Sequence, residues 1–482
     1  MTWGSRSMTG APGHANWWGS HLLDADDDSV VFRHGGGGVT RAEVHRRMEE
    51  AASLLAASGI GPGATVALQV SPSYTYVHAL LALWRSGAQV LLLDHRLKRA
   101  EVDRLLEACR SQFYIHSTDP ARTPATFRAE RELIIEVRRS GRRAETDHCL
   151  VQVSSGTTGT PKVIGRTAGS LLAEIDRFAR IEGMPGRGDR LLLLSSVAHT
   201  FGLVGGILHA LARGVAVVFA GPPAARDLVE LANREQVDTI FGAPFHYDLL
   251  SALPDPPVPA GLRIAVSGGE VLPDRVAARF EQRYGVRVGD AYGMTEVGII
   301  AADLTGRHRP AVGPPAPGIQ VKVDHGELYV AVDRSPYLRS DGPDRFRDGW
   351  LRTFDLAEYG DGGLVSVRGR SDSLVVVGGL KVDLTEIETA LCEHPDITEA
   401  VVIHAGGIEA YVGSDADPSV DEIVIWCRDR LADYKIPKRF HVARALPRAV
   451  SGKLIRSHDA LRQAHFAAAA PLTRARLHGA QP

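Results

Sequence analysis

The sequence predicts an α/β protein with doubly wound sheets in a large N-terminal domain, followed by a small α+β domain. Two successive units of strand, helix and strand precede residue 221, and this alternation indicates parallel sheets covered by helices on both faces. After Asp372 the pattern changes to short strands with two helices between and after them. We therefore expect a core domain over residues 1–372 and a small domain over residues 373–482.

The individual elements follow the apolar runs in chain order. In the first unit, residues 65–70 are predicted as a strand, 74–86 as a helix and 88–93 as a strand. In the second unit the corresponding elements are 191–195, 203–213 and 215–220. The small domain is predicted to contain strands at 374–377, 400–404 and 408–412, a helix ending at residue 392 and a helix at 420–432. Asp383 and Glu386 form a predicted capping box for the first of these helices. Residues 1–15 are expected to be disordered, with Trp17 and Trp18 beginning the packed chain.

One stretch has the length of a membrane-spanning helix. Residues 191–212 contain no Asp, Glu, Lys or Arg. However, serines, glycines, His199 and His209 interrupt the stretch, and such polar groups are costly in lipid. A buried strand, a loop around His199 and a buried helix is the favoured interpretation, so we expect no association with a membrane.

Composition excludes several classes of protein. The chain has 482 residues, of which 44% are hydrophobic, enough for a large core and more than one domain. Its formal net charge of −2 provides no basic surface for nucleic acid. The four cysteines form no C-x-x-C pair, which argues against a zinc site and fits a reducing cytoplasm. The N-terminus lacks the pattern of a signal peptide, and the arginine-rich segment 117–144 is interpreted as solvated surface rather than as a patch for an acidic partner.

Residues 154–162 form a loop suited to an anion. Its glycines allow a tight turn in which several N–H groups converge, while its hydroxyls and one lysine add donors and positive charge. The spacing differs from the G-x-x-x-x-G-K-[ST] loop of GTPases. On composition alone a polar surface linker remains an alternative. The proposed nucleotide ligands in this loop are Ser154, Ser155, Gly156, Thr157, Thr158, Gly159 and Lys162.

Together with four later stretches, this loop resembles the acyl-adenylate-forming superfamily, which includes acyl- and aryl-CoA synthetases, peptide-synthetase adenylation domains and firefly luciferase. The later stretches, in the same order as in that superfamily, are Asp-Ala-Tyr-Gly-Met-Thr-Glu at 290–296, Gly-Trp-Leu-Arg-Thr-Phe-Asp-Leu at 349–356, Gly-Arg-Ser-Asp at 369–372 and Ser-Gly-Lys at 451–453. The resemblance covers nearly the whole chain.

The resemblance implies a reaction in two halves. A carboxylate attacks the α-phosphate of ATP to give an acyl-adenylate and pyrophosphate, and a thiol then takes the acyl group. The implied cofactors are ATP and Mg²⁺, and the implied acceptor is CoA or the phosphopantetheine of an acyl-carrier protein. Because charge develops on non-bridging phosphate oxygens, catalysis is mostly positioning and electrostatic stabilisation.

The resemblance also assigns roles to residues in the core. Glu296 is the expected Mg²⁺ ligand and Thr295 is expected to contact the α-phosphate, although a lone Thr-Glu pair is more often a helix N-cap. Tyr292 would stack on adenine, with Asp290 and Gly269 also in the nucleotide site.

Further roles fall near the end of the core domain and beyond it. Asp355 and Arg370 are the expected ribose ligands. Phe354 stands between Thr353 and Asp355 where the family usually has glycine, so either φ is negative there or the ribose contact shifts. Lys453 would follow the charge that forms on the α-phosphate, although a lone surface lysine is ordinarily a solvated charge. Asp372 is the expected hinge of a mobile lid domain, with Gly378 and Gly379 lining a thiol tunnel.

The acid is predicted from the segment that begins at His199, which the resemblance makes a gate for the acyl carboxylate. Enzymes for free α-amino acids have an aspartate here, whereas this chain has Thr200 and Phe201, so a plain carboxylic acid is expected. Asp248 could approach from another element. The predicted acid-binding residues are His199, Phe201, Gly242, Ala243, Phe245, Ser267, Gly268, Gly269 and Gly293.

These residues mix aromatic and small side chains, which suits a flat aryl ring. We therefore expect an aryl acid ligase, monomeric or homodimeric, of the kind used in natural product biosynthesis. A short- or medium-chain acyl-CoA synthetase is the alternative within the class. A catalytically silent nucleotide-binding or carrier-docking protein is the alternative outside it.

Overall fold

The computed structural model describes residues 17–23, 27–97, 99–117, 127, 129–154, 162–220, 224–254, 256–338, 345–360, 362–377, 380–431, 435–449 and 452–469. The predicted ligands at 155–159, the predicted tunnel glycines Gly378 and Gly379 and the predicted disorder of residues 1–15 lie outside the described residues. Trp17 and Trp18 are partly buried and pack against the main apolar core, as predicted.

The strands are numbered in chain order. They are β1 (Val30–His34), β2 (Gly37–Thr40), β3 (Thr65–Gln69), β4 (Gln89–Leu92), β5 (Phe113–Ser117), β6 (Leu133–Val137), β7 (His148–Ser154), β8 (Lys162–Thr167), β9 (Arg190–Leu193), β10 (Ala216–Phe219), β11 (Thr239–Gly242), β12 (Ile264–Gly268), β13 (Val288–Met294), β14 (Gly298–Asp303), β15 (Val321–Asp324), β16 (Glu327–Ala331), β17 (Phe346–Arg347), β18 (Trp350–Tyr359), β19 (Val365–Arg370), β20 (Leu374–Val377), β21 (Leu380–Asp383), β22 (Glu399–His404), β23 (Ile408–Gly413) and β24 (Arg439–Ala443).

The α-helices are numbered in the same way. They are α1 (Arg41–Ala57), α2 (Tyr74–Arg85), α3 (Arg99–Cys109), α4 (Ala168–Ala179), α5 (His209–Arg213), α6 (Ala225–Arg234), α7 (Pro244–Ser251), α8 (Asp274–Tyr284), α9 (Leu384–Cys392), α10 (Val420–Arg428) and α11 (His458–Ala469).

The first two sheets are doubly wound, which confirms the predicted fold class. One sheet has the order β6-β5-β3-β4-β7-β8, with parallel pairing from β5 to β7 and antiparallel strands at both edges. The other has the order β14-β13-β12-β11-β9-β10-β1-β2, with parallel pairing from β13 to β1. Both predicted strand–helix–strand units are present, at β3-α2-β4 and at β9 to β10.

The second sheet is buried on both faces, which explains its nearly continuous apolar strands. Phe241 and Val266 belong to one apolar cluster, whereas their strand neighbours Ile240 and Ala265 belong to another. Since side chains alternate along a strand, the two clusters lie on opposite faces of the sheet.

The helix predicted at 203–213 differs from the expectation. Residues Phe201–Leu208 form a π-helix, and α5 continues from it. A Cβ at Gly202 would lie 2.3 Å from the Ser196 carbonyl oxygen, and one at Gly206 would lie 2.8 Å from the Leu193 side chain. Glycine therefore permits this close packing. No helix in the described part of the chain is both long enough and apolar enough to span a bilayer.

The chain forms two compact units. The first comprises Met1–Val321, Val330–Leu351 and Asp361–Val365. The second comprises Lys322–Tyr329, Arg352–Gly360 and Ser366–Pro482. The large and small parts agree with the predicted fold class, although the second unit takes in segments that precede the predicted boundary at Asp372.

Within the second unit, β22, β23 and β24 form a sheet and β20 pairs with β21. The predicted capping box of α9 is wrong. The Asp383 carboxylate accepts from the Thr385 N–H at 2.9 Å, and Glu386 instead pairs with Lys435 at 2.6 Å. Asp383 is also bound by the Ser373 hydroxyl at 2.7 Å, so it acts as a simple N-cap.

Candidate functional site

The predicted phosphate loop joins two paired strands. Ser154 at the end of β7 is in register with Lys162 at the start of β8, so the two strands form an antiparallel hairpin whose connection is 155–161. The hairpin fixes both ends of that connection in the first unit. The whole connection, residues 155–161, lies outside the described part of the chain.

Thr295 and Glu296 occupy the turn of a second hairpin, between β13 and β14. The alternative that these residues cap a helix is therefore wrong. The register shifts between Tyr292 and Gly293, and a Cβ on Gly293 would lie 2.4 Å from the Gly298 carbonyl oxygen. Gly298 itself has φ of +89°, a conformation that glycine adopts readily.

A tyrosine that the motifs did not predict holds Glu296. The Tyr337 hydroxyl donates to Glu296 Oε1 at 2.9 Å, and the Glu296 side chain is largely buried. Burial first, and then the negative charge of Glu296, raise the pKa of Tyr337. The phenol is therefore a protonated donor at neutral pH. Residues 336–338 lie along β8, with the Leu338 N–H donating to the Val163 carbonyl at 3.0 Å. Tyr337 thus connects Glu296 to the hairpin of the phosphate loop.

A buried ion pair fixes the other end of the same turn. Glu174, on α4, is fully buried and accepts from the Ile299 N–H at 3.0 Å. Its second carboxylate oxygen lies 2.7 Å from Arg166 Nη2. A Cβ on Gly298 would lie 2.1 Å from Glu174 Oε1. Only a glycine at 298 leaves room for this carboxylate.

Asp290 lies two residues before Tyr292 on β13. Its carboxylate is 2.7 Å from Arg309 Nη1. Burial raises the pKa of Asp290 to about 6, and the Arg309 charge opposes that shift. The same arginine also pairs with Asp274 at 2.9 Å. Gly269, after β12, has φ of +95°.

The predicted acid-binding residues divide between the two faces of the second sheet. The Phe201 and Phe241 rings stack with centroids 4.9 Å apart and planes at 18°, and a Cβ on Gly268 would lie 2.9 Å from Phe201. These residues share one face. A Cβ on Gly242 would instead meet His246 and Tyr247, at 3.3 Å from each.

Strand alternation places Ser267 on the face of Gly242, its partner across β11 and β12. The Ser267 hydroxyl is buried and has no hydrogen-bond partner among the described residues. Phe245 packs on His246, with ring centroids 3.7 Å apart. The structure therefore brings Phe201, Phe241 and Gly268 together and separates them from Gly242, Phe245 and Ser267. Phe241 was missed because it reads as an ordinary strand residue.

Two side chains near this region are accounted for by local contacts. The Ala243 N–H donates to His246 Nδ1 at 3.0 Å, and burial lowers the pKa of His246 to about 3. The imidazole is therefore neutral at physiological pH. The Asp248 carboxylate pairs with Arg279 and also lies 3.8 Å from Arg275. Two guanidinium groups thus already compensate the charge of Asp248.

The predicted ribose ligands meet in the second unit. Arg370 Nη1 lies 3.0 Å from Asp355 Oδ1, and the Asp355 N–H donates to the Thr353 hydroxyl at 3.0 Å. Of the two alternatives for Phe354, the negative φ is wrong, because Phe354 has φ of +65°. This position keeps the glycine-type conformation despite its side chain. The Arg352 guanidinium lies 4.3 Å from the centroid of the Phe354 ring, a cation–π contact.

Lys453 is exposed and follows a turn in the second unit. Gly452, with φ of +87°, donates its N–H to the Ala449 carbonyl at 2.8 Å. Arg448 Nη1 donates to the Gly452 carbonyl at 2.7 Å. The backbone at Lys453 is therefore fixed on both sides of the turn. Asp372 lies in a short 3₁₀-helix, Ser371–Ser373.

The described residues contain no group of three or more His, Cys, Asp or Glu side chains that could hold a metal ion. That finding is compatible with Mg²⁺, which is commonly held by one or two carboxylates together with substrate phosphates. Glu296, the predicted ligand, is a buried carboxylate at a turn beside the hairpin of the predicted phosphate loop, so its chemistry is compatible with this requirement.

These features define an α/β enzyme with two doubly wound sheets, a small C-terminal unit and glycine-dependent turns beside the hairpin of the predicted phosphate loop. The chain belongs to the family of AMP-binding enzymes. The model of that family matches residues 23–336, and the model of the AMP-binding enzyme C-terminal domain matches residues 386–453. The predicted membership of the acyl-adenylate-forming superfamily is confirmed.

Relatives and solved structures cover nearly the whole chain. A feruloyl-CoA synthase of Amycolatopsis sp is 28% identical over 466 residues, covering 89% of this chain and 94% of the relative. An o-succinylbenzoate CoA synthetase from Bacillus subtilis, solved with AMP, is 25% identical with a TM-score of 0.77 and covers 91% of this chain and 97% of its own. An anthranilate CoA ligase solved with anthranoyl-AMP has a TM-score of 0.78 at 23% identity, covers 95% of this chain and 99% of its own, and shows the shared fold.

Proposed function

We propose that this enzyme is an ATP- and Mg²⁺-dependent ligase that adenylates an aryl carboxylic acid and transfers the acyl group to a thiol, either of CoA or of carrier-protein phosphopantetheine. The single observation that supports an aryl acid best is the stacked pair of Phe201 and Phe241 beside Gly268. Phe201 is only partly buried and lies flat on the fully buried Phe241, so its ring offers one flat apolar face to a ligand, and the glycine leaves room for the Phe201 ring in this position.

The acids named by several of the relatives support the same class, whereas other relatives are fatty-acid–CoA ligases, which correspond to the alternative. Feruloyl and o-succinylbenzoyl groups each contain an aromatic ring. The pairing of Asp248 with Arg279 supports a plain acid over an amino acid, because that carboxylate already has a cationic partner. An unpaired substrate ammonium in an apolar pocket would be costly.

Residues of this chain provide for the first half of the reaction, the formation of the acyl-adenylate. We expect the hairpin loop 154–162 to bind the triphosphate through backbone N–H groups and hydroxyls. Thr295 would orient the α-phosphate. Mg²⁺, held by Glu296, would supply charge neutralisation on the phosphates. Lys453, on the second unit, would stabilise the charge that grows on the α-phosphate oxygens as the acid attacks and pyrophosphate leaves.

Pyrophosphate exchange tests the proposal. Purified protein is assayed with benzoates, hydroxybenzoates, anthranilates and alkanoates, and we expect exchange with an aryl acid. Exchange with alkanoates alone would contradict the aryl assignment. Lys453→Ala should lower adenylate formation by about 100-fold or more, the usual cost of losing a transition-state donor. A Lys438→Ala variant, in the same unit but outside the motif, is the matched control.

A further inference from the structure

The segment around His199 is held by two buried side chains, one from α2 and one from strand β7 of the first sheet. The Tyr76 hydroxyl donates to the Val197 carbonyl at 3.0 Å. Gln152 Nε2 donates to the Ala198 carbonyl at 2.8 Å, and Gln152 Oε1 accepts from the Thr200 hydroxyl at 3.3 Å. Gln152 therefore bonds on both sides of His199.

The orientation of the Gln152 amide is determined by its partners. A carbonyl oxygen only accepts, so the amide nitrogen must face Ala198 and the amide oxygen must face Thr200. Gln152 is 4% exposed, so these bonds face little competition from water. A glutamate at this position would place a carboxylate oxygen against the Ala198 carbonyl oxygen, and neither oxygen can donate a hydrogen bond.

Gln152 also belongs to the hairpin of the phosphate loop. It lies on β7 two residues before Ser154, and it is in register with Ile164 on β8. One side chain thus joins the base of the hairpin predicted to bind the triphosphate to the segment predicted to bind the acid. The sequence separation is 48 residues between Gln152 and Thr200.

We propose that Gln152 is a positioning residue that fixes the His199 segment against the phosphate-loop hairpin, so that acid and nucleotide are bound in a defined relative position. This inference rests on the proposed function for its catalytic consequence. Its structural consequence, the rigidity of the segment, is measurable without any substrate.

The variant Gln152→Leu removes both hydrogen bonds while nearly preserving volume. The matched control is Gln89→Leu. Gln89 Nε2 donates to the His148 carbonyl at 2.9 Å and to the Thr146 hydroxyl at 3.1 Å, so its bonds lie at or before the start of β7 and far in sequence from His199. Each variant loses two side-chain hydrogen bonds, so a difference between the variants reports where the bonds lie and not how many were lost.

Amide hydrogen exchange of the substrate-free protein is the first measurement. The loss of two hydrogen bonds from a buried side chain should accelerate exchange at Ala198, His199 and Leu203 by about thirtyfold in Gln152→Leu, with no change there in Gln89→Leu. Equal exchange rates in Gln152→Leu and wild type at these amides would overturn the proposal.

Steady-state pyrophosphate exchange is the second measurement. For Gln152→Leu we expect the KM for the acid to rise about tenfold or more, since the acid-binding segment is loosened, while the KM for ATP stays within about twofold. Thr200→Val should raise the same KM, and the double variant should be less than additive, because both remove one shared bond. Unchanged kcat and KM values in Gln152→Leu, or strict additivity with Thr200→Val, would contradict a positioning role. If wild type uses no acid at all, the proposed function fails, and hydrogen exchange still decides whether Gln152 holds the segment.

Discussion

Tyr337→Phe should weaken the binding of Mg²⁺ that we propose for Glu296. The change removes one hydroxyl that donates to Glu296 Oε1 at 2.9 Å and leaves a buried carboxylate with one partner fewer. A hydrogen bond to a charged group contributes about 1.5–3 kcal/mol, so the carboxylate would lose a bond worth a factor of about 10 to 150 in equilibrium. Without this bond Glu296 is held less firmly in its orientation, so part of the lost free energy should appear as weaker Mg²⁺ binding.

The assay is pyrophosphate exchange over a Mg²⁺ titration, with urea unfolding in parallel. We expect a higher Mg²⁺ concentration at half-maximal rate and a lower unfolding midpoint. Tyr284→Phe is the control, since the Tyr284 hydroxyl donates to the Leu250 carbonyl at 3.0 Å and has no contact with the turn. Tyr284→Phe should lose stability without a change in Mg²⁺ dependence. If both variants kept the wild-type Mg²⁺ profile, the inferred role of Tyr337 would be refuted.

Three further outcomes follow from the same contacts. Gly298→Ala should lower the free energy of unfolding by several kcal/mol, because the new Cβ would lie 2.1 Å from the fully buried Glu174 carboxylate. Urea unfolding measures the loss. Gly326→Ala is the control, because Gly326 also has a positive φ but has open space around it, so the difference between the two variants reports the clash alone. Phe354→Gly should retain the KM for ATP in exchange assays, since glycine adopts the observed φ of +65° readily, and a large rise in that KM would show that the ring itself matters. Burial lowers the pKa of His246 from 6.5 to about 3, so between these two pH values the unfolded state binds more protons than the folded state. The free energy of unfolding should therefore fall as pH decreases from about 6.5 towards 3. Urea unfolding at several pH values should show a smaller fall for His246→Met.

Local sequence pattern predicted the sheets well because both faces of their strands are buried. Strands β3, β4 and β10 appear as apolar runs within a residue or two of the expected ends. The π-helix Phe201–Leu208 was not predicted, since its apolar residues have no distinctive period and its geometry depends on how closely its glycines approach Ser196 and Leu193. The capping box at α9 failed for a similar reason: Glu386 has a better partner in Lys435, which is distant in sequence.

The motifs predicted the residues that are expected to contact substrates. They did not predict the residues that hydrogen-bond to those residues and to their neighbours in the fold. Tyr337 is 41 residues from Glu296, Gln152 is 48 from Thr200 and Glu174 is 125 from Ile299. An isolated tyrosine, glutamine or glutamate in a strand or helix has no local signature of such a bond. The two-faced arrangement of the predicted acid site was also missed, although strand alternation could have separated Phe241 from Gly242 once β11 was assigned.

Phe354 shows that the backbone conformation, rather than the glycine, is what the ribose motif retains in this chain. A non-glycine residue at φ of +65° costs on the order of 1–3 kcal/mol and persists only where its surroundings impose it. Here the preceding Thr353 is buried and its hydroxyl bonds to the Leu328 carbonyl at 2.8 Å, while the following Asp355 N–H bonds back to that hydroxyl. The Arg352 contact with the Phe354 ring offsets part of the cost. Since Asp355 remains paired with Arg370 at 3.0 Å, the departure from glycine leaves the pair expected to bind ribose in place, and this argues against a catalytically silent protein.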